Sequence, residues 1–141
     1  MYSTYSFTDT SLVLSHPKVG QYVFNGQGLG SVTVSRANDN TQHDIAADGS
    51  TMTSKIVTKN GTLAITIQQT SPAQMWLKKW YNYLVAAPTN EWASTNAVFS
   101  VPATGERFNI TGISPQKIPD AVFQQAGQQV TWTLMATDIS G

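Results

Sequence analysis

From Leu12 to Thr137 the chain is a succession of short segments in which apolar and polar residues alternate, each closed by Gly, Pro, Asn or Asp. Strand side chains point to opposite faces with a period of two, so this pattern specifies a sheet with one buried and one wet face. Segments 12–15, 21–25, 29–36, 51–58, 62–69, 96–101, 107–113 and 129–137 carry it, which predicts about eight strands. The last is the most regular: Val130, Trp132 and Leu134 share one face, Thr131 and Thr133 the other. Segment 37–50 is polar and acidic and predicts a long loop, of the kind that is functional or disordered in compact domains.

Asn60-Gly61 is a strong hairpin signal, because a type I′ turn needs positive φ at both central residues. Pairing Lys59 with Thr62 fixes a register. It places Thr53, Lys55, Val57, Lys59, Thr62, Ala64, Thr66 and Gln68 on one wet face, with the branched aliphatics Ile56, Leu63, Ile65 and Ile67 on the other. One helix follows. Ser71 is a good N-cap, Pro72 suits the first helical position and Gln74 completes a capping box. Ala73, Trp76, Leu77, Trp80 and Leu84 recur at helical spacing, and the helix should stop near Ala87, before Pro88. Met75, Tyr81 and Tyr83 widen the apolar surface, so the helix either touches a neighbouring subunit or holds half-buried aromatics of its own.

The 141 residues suit a single domain, 1–141, with a real core. Only 11% are charged and the formal net charge is zero, so no global field draws in nucleic acid, anionic membrane or acidic substrates. A neutral, sparsely charged surface favours self-association. With no cysteine there is no disulfide framework, thiolate metal site or thiol nucleophile. The N-terminal residues do not read as a signal peptide, and no apolar run approaches the roughly 20 residues of a membrane span. The expectation is a protein made in a cytoplasm and not inserted in a membrane.

Gly26, Gly28 and Gly30 resemble a phosphate loop, but a strand-like run follows where a helix would be needed, so they read as a turn or strand entry. His43-Asp44 has only His16 as a second histidine, in a separate segment; surface residues are the better reading than a metal site. No serine sits in a nucleophile elbow, and the acids show no pairing. These residues give no catalytic centre, metal site or cofactor site.

The string Ala46-Ala47-Asp48-Gly49-Ser50-Thr51-Met52-Thr53-Ser54, then Gly61-Thr62-Leu63 and Gln69-Thr70-Ser71-Pro72, resembles the tail tube proteins of contractile-tailed bacteriophages. Tyr5-Ser6-Phe7, Tyr81-Asn82-Tyr83 and Trp132-Thr133-Leu134 fit the same pattern, while the region from Pro17 to Tyr22 departs from it. The resemblance implies a mostly-β subunit, a β-sandwich or partial barrel with one flanking helix. Six such subunits would close a ring with a continuous inner β-barrel. Rings would stack into a tube in the virion tail, inside a contractile sheath, assembled in the host cytoplasm. The implied partners are further copies of the chain, the sheath, baseplate and terminator proteins, and DNA in transient passage. The wet hairpin face is then either the lumen wall or an outer solvent face. The loop bearing Asn38, Asp39, Asn40, His43, Asp44 and Asp48 is either an inter-ring arm or an ordinary surface loop. Trp76, Trp80, Tyr81 and Tyr83 mark the candidate subunit-contact helix. Three other readings stand beside this one: the tube of a tailocin or secretion apparatus, a monomeric carbohydrate-binding sandwich using Trp92 or Tyr22, and, last, a hydrolase.

Overall fold

A computed structural model describes residues 10–25, 29–119 and 126–141. Its strands are β1 (Ser11–His16), β2 (Gly20–Asn25), β3 (Leu29–Arg36), β4 (Thr41–Ile45), β5 (Thr51–Lys55), β6 (Gly61–Gln68), β7 (Thr95–Val101), β8 (Glu106–Lys117) and β9 (Gln129–Ser140). Helix α1 (Pro72–Ala86) and a short 3-10 turn (Thr89–Glu91) lie between β6 and β7. Seven strands form one antiparallel sheet in the order β2-β1-β7-β8-β9-β6-β3, curled into a half-barrel, and β4 and β5 form a separate two-stranded ribbon. The partial barrel, rather than two stacked sheets, is therefore the architecture: the helix covers the face that a second sheet would cover in a sandwich.

Period-two alternation becomes a core on one side only. Leu12, Leu14, Phe99, Ile110, Ile113, Trp132, Leu134, Leu63, Ile65 and Ile67 point to the same face and are buried. On α1 the residues Ala73, Leu77, Trp80 and Leu84 meet them. Two buried indoles fix the helix across the sheet. The Trp132 Nε1–H donates to Gln74 Oε1 at 2.8 Å, and the Trp80 Nε1–H donates to Thr95 Oγ1 at 2.8 Å. A buried N–H without an acceptor is costly, so these bonds set where along β9 and β7 the helix can rest.

The helix begins as expected, with the Ala73 N–H donating to Ser71 Oγ at 3.2 Å and Pro72 at the first position. It ends at Ala86, before Pro88. Gln74, however, does not close a capping box. Its side chain is taken by Trp132, and the Ser71 N–H donates instead to the Gln68 carbonyl at 3.0 Å.

The Asn60-Gly61 hairpin is not formed, and this corrects the predicted register. β6 pairs with β3 and β9, while β5 pairs with β4. No described non-glycine residue has positive φ, and Gly61 is not among the positive-φ glycines, so no type I′ turn exists there. Gly61 is needed for a different reason: a Cβ on it would run into the Ser35 carbonyl oxygen and the Ile139 side chain, where β6 starts between two neighbours. β3 and β6 are the true hairpin, and residues 37–60 are an excursion from its end. The expected long loop over 37–50 is thereby corrected too, because it contains β4. Gly112, at φ +67°, sits at the β7–β8 irregularity, where a Cβ would strike Thr137 of β9.

Candidate functional site

Two surfaces leave this scaffold unexplained by its own stability. The first is the sheet face turned away from α1. Thr62, Ala64, Thr66 and Gln68 of β6 lie on it, between Ser31, Thr33 and Ser35 of β3 and Gln129, Thr131, Thr133 and Met135 of β9. Thr66 faces Ser31 on one side and Thr131 on the other, and the Thr66 and Thr131 hydroxyls are 3.0 Å apart. Stretches 31–35, 62–68 and 129–135 contain no charged residue. The surface is made of hydroxyls, amides and methyl groups.

The second is the β4–β5 ribbon. Every residue of β4 is exposed, and in β5 only Ser54 is partly covered. Its alternation therefore has no buried face to report. Ile45 is 70% exposed, Met52 60% and Val57 72%, a density of bare apolar side chains that an isolated two-stranded ribbon cannot use alone. Backbone bonds hold its base: the Ile56 N–H donates to Asn40 O at 2.8 Å and the Ala37 N–H to Asn60 O at 3.1 Å. At its tip the Ser50 N–H and hydroxyl donate to Asp48 Oδ1 at 3.0 and 2.7 Å, and these bonds hold the carboxyl below its ordinary range.

The structure divides the expected site residues between these surfaces. Thr62, Ala64, Thr66 and Gln68 lie on the sheet face, whereas Thr53, Lys55, Val57 and Lys59 lie on or beside the ribbon, so they are not one continuous face. Asn38, Asp39, Asn40, His43, Asp44 and Asp48 are all exposed on the ribbon or its turns. Trp80 is corrected from a contact residue to a core residue, being fully buried and bonded to Thr95. Trp76, Tyr81 and Tyr83 are half-buried against the core. The large apolar residues that the helix does expose are Met75 and Val85, at 75% and 59%. Sequence reasoning passed over Val85, Ile45 and Met135 because a lone apolar residue carries no sign of being exposed.

Among the described residues no group of three or more His, Asp or Glu is placed to hold a metal ion. His16 is buried, and its Nδ1 accepts the Lys18 and Val19 N–H groups at 3.1 and 3.3 Å while Nε2 faces the Ser94 hydroxyl at 3.0 Å. It pins the β1–β2 turn and is spent on that. His43 is a surface residue far along the ribbon. Tyr22 packs on Phe24 and Trp76 with ring centroids 4.9 and 5.7 Å away, so it belongs to an aromatic cluster rather than an open sugar platform. Gly30 lies in a strand, as a strand entry should; Gly26 and Gly28, like Tyr5-Ser6-Phe7, lie outside the described residues. No helix among the described residues is long and apolar enough to cross a membrane.

Residues 2–141 match the family described as Bacteriophage PhiTE tail tube protein. The chain belongs to this phage tail tube family. Its fold recurs in solved contractile particles. A chain of the sheath–tube complex of an extracellular contractile injection system, PVC, in the extended state has TM-score 0.61 at 14% identity, covering 97% of this chain and 90% of that one. A chain of the PVC sheath/tube terminator gives 0.63 at 14%, over 99% and 96%. The tube-terminating cap of the anti-feeding prophage gives 0.59 at 12%, over 99% and 93%. At such identities these establish a shared fold. No curated protein sequence matches the chain. The tail tube family is one of structural proteins, and the chain is a tail tube subunit, a component of a virion tail.

Proposed function

We propose that this tail tube subunit closes into six-membered rings that stack into a tube, with the uncharged sheet face lining the lumen and the β4–β5 ribbon bridging neighbouring copies. The observation that carries the reading is the pairing of an uncharged hydroxyl face with an exposed two-stranded ribbon on one chain of this family. A lumen wall must let a polyanion pass without holding it. Phosphate backbones are held by Lys and Arg; β3, β6 and β9 offer none along 31–35, 62–68 and 129–135, and one exposed cation, Lys117 of β8, pairs across to Thr133 beside them. Among the described residues β2 and β3 are the two edge strands of the sheet, and closing the sheet across subunits removes such edges. The role is mechanical, with no catalysis. Sheath, baseplate and terminator proteins are its tail partners, and assembly takes place in the host cytoplasm.

A second reading has support from the solved relatives, which come from injection particles: the same architecture could serve a tailocin-type tube whose cargo is not DNA. Negative-stain microscopy of concentrated protein should show rings or tubes with a central hole. A strictly monomeric protein, even with tail components added, would contradict the proposal. Thr66→Glu should leave rings intact while making the hole stain differently; lost rings would place Thr66 at an interface. Nuclease-protected DNA inside purified particles separates the two cargo readings.

A further inference from the structure

The charges of the ribbon are sorted along its length. Its far end carries Asp44 and Asp48 beside the bare side chains of Ile45 and Met52. Its base holds a cleft of about 400 Å³ in which Ile56 and Val57 form an apolar floor and Arg36, Lys55 and Lys59 supply cations. Asp39 does not line this cleft; it lines an adjoining one that shares Ile56 and Thr58 with it. The Arg36 guanidinium spends one N–H on the Ile139 carbonyl, at 2.8 Å, and among the described residues its other donors have no partner. Among the described residues, Asp44, Lys55 and Lys59 have no ion-pair partner within the chain. Tip and cleft are thus matched twice, acid to base and apolar to apolar.

They cannot meet within one copy. Thr41 pairs with Lys55 and Asp44 with Met52, so Asp44 stands three rungs beyond Lys55, roughly 10 Å at ~3.3 Å per rung. Asp48 is farther out still, past the last rung. A paired ribbon does not fold its own tip back onto its base.

We infer that the acidic tip of one copy's ribbon docks in the basic cleft at the ribbon base of another copy. The inference rests on the proposed tube and adds the receiving site and its chemistry. Such a contact is heterologous, tip to cleft, so each copy keeps a free tip or a free cleft for the next and the contact propagates. It also makes assembly salt-sensitive in a protein of zero net charge, because the attraction is local to this pair of surfaces.

Complementary variants test it. A tip variant, Asp44→Lys with Asp48→Asn, turns the tip positive while Asn keeps an acceptor for Ser50. A cleft variant, Lys55→Glu with Lys59→Glu, turns the cleft negative. Each alone should lose roughly tenfold in the fraction that sediments as stacked tubes at low salt. An equimolar mixture should recover it, since each tip then finds a cleft of opposite sign. Since the chain has no cysteine, Ile45→Cys with Val57→Cys gives an independent readout: oxidation should link copies into a ladder. Wild-type yields from either variant alone, a mixture no better than its parts, or no ladder would overturn the docking and leave the tube assignment standing. A wild-type chain that never leaves the monomer would overturn both.

Discussion

The seven-stranded sheet and the β4–β5 ribbon are built from the same kinds of residue by the same chain, yet only one of them is held by that chain. In β6 every second residue from Leu63 to Ile67 is fully buried, and in β9 Trp132 and Leu134 repeat the pattern. In β4 none of the five residues is buried. A strand with a core under it is stabilised by burial, at about 25 cal/mol per Å² of apolar surface removed from water. The ribbon has only its ladder and its turn, and two strands alone are marginal in water. The difference teaches where the molecule ends as a folding unit and begins as an assembly unit: Ile45, Met52 and Val57 stand bare on a segment that has no core of its own beneath it.

Breaking the sheet should cost most. Trp132→Ala removes a fully buried indole and strands Gln74, and should lose about 3–5 kcal/mol of stability, read from the urea midpoint. Unchanged stability would mean that the helix is not fixed through β9. Ser71→Ala removes the helix cap and should lose about 1 kcal/mol. Smaller in effect is the link between α1 and the 3-10 turn. Partial burial first, and then the charge and hydrogen bond of Glu91, raise the Tyr83 phenol above its ordinary value. The protonated phenol is the form the fold favours. The stability it adds is therefore complete below the ordinary 10.0 and lost as pH rises through the raised value. Tyr83→Phe should flatten the alkaline limb of a melting-temperature profile and leave the neutral region little changed. Smallest for the isolated chain are ribbon changes: Ile45→Ser should move stability by no more than ~0.5 kcal/mol, while tube formation falls sharply. A large loss of stability from Ile45→Ser would show that the ribbon is part of the core unit after all.

The sequence made the sheet legible wherever a buried face imposed alternation, as in 129–137, and made the helix legible through Ser71 and Pro72. It misled where two signals had one cause each. Asn60-Gly61 has the composition of a hairpin turn, but Gly61 is there because Ser35 and Ile139 leave no room for a Cβ. That fact depends on a neighbour strand about 25 residues away and is invisible to any local rule. β4 was hidden because an exposed ribbon needs no apolar period, so Thr41–Ile45 reads as loop. Of the candidate site, the β6 half of the polar face was legible from alternation. Its β3 and β9 neighbours needed the sheet order, and Trp80 was misplaced because a helical stripe does not say which aromatics stop at the core.

Hydrogen exchange compares the two regions most directly. Amides of β6 and β9 should be protected equally in monomer and tube. Those of β4 and β5 should exchange fast in the monomer and become strongly protected once tubes form. Ribbon amides that exchange at the same rate in both states would contradict the claim that neighbouring copies, rather than the chain's own core, hold the ribbon.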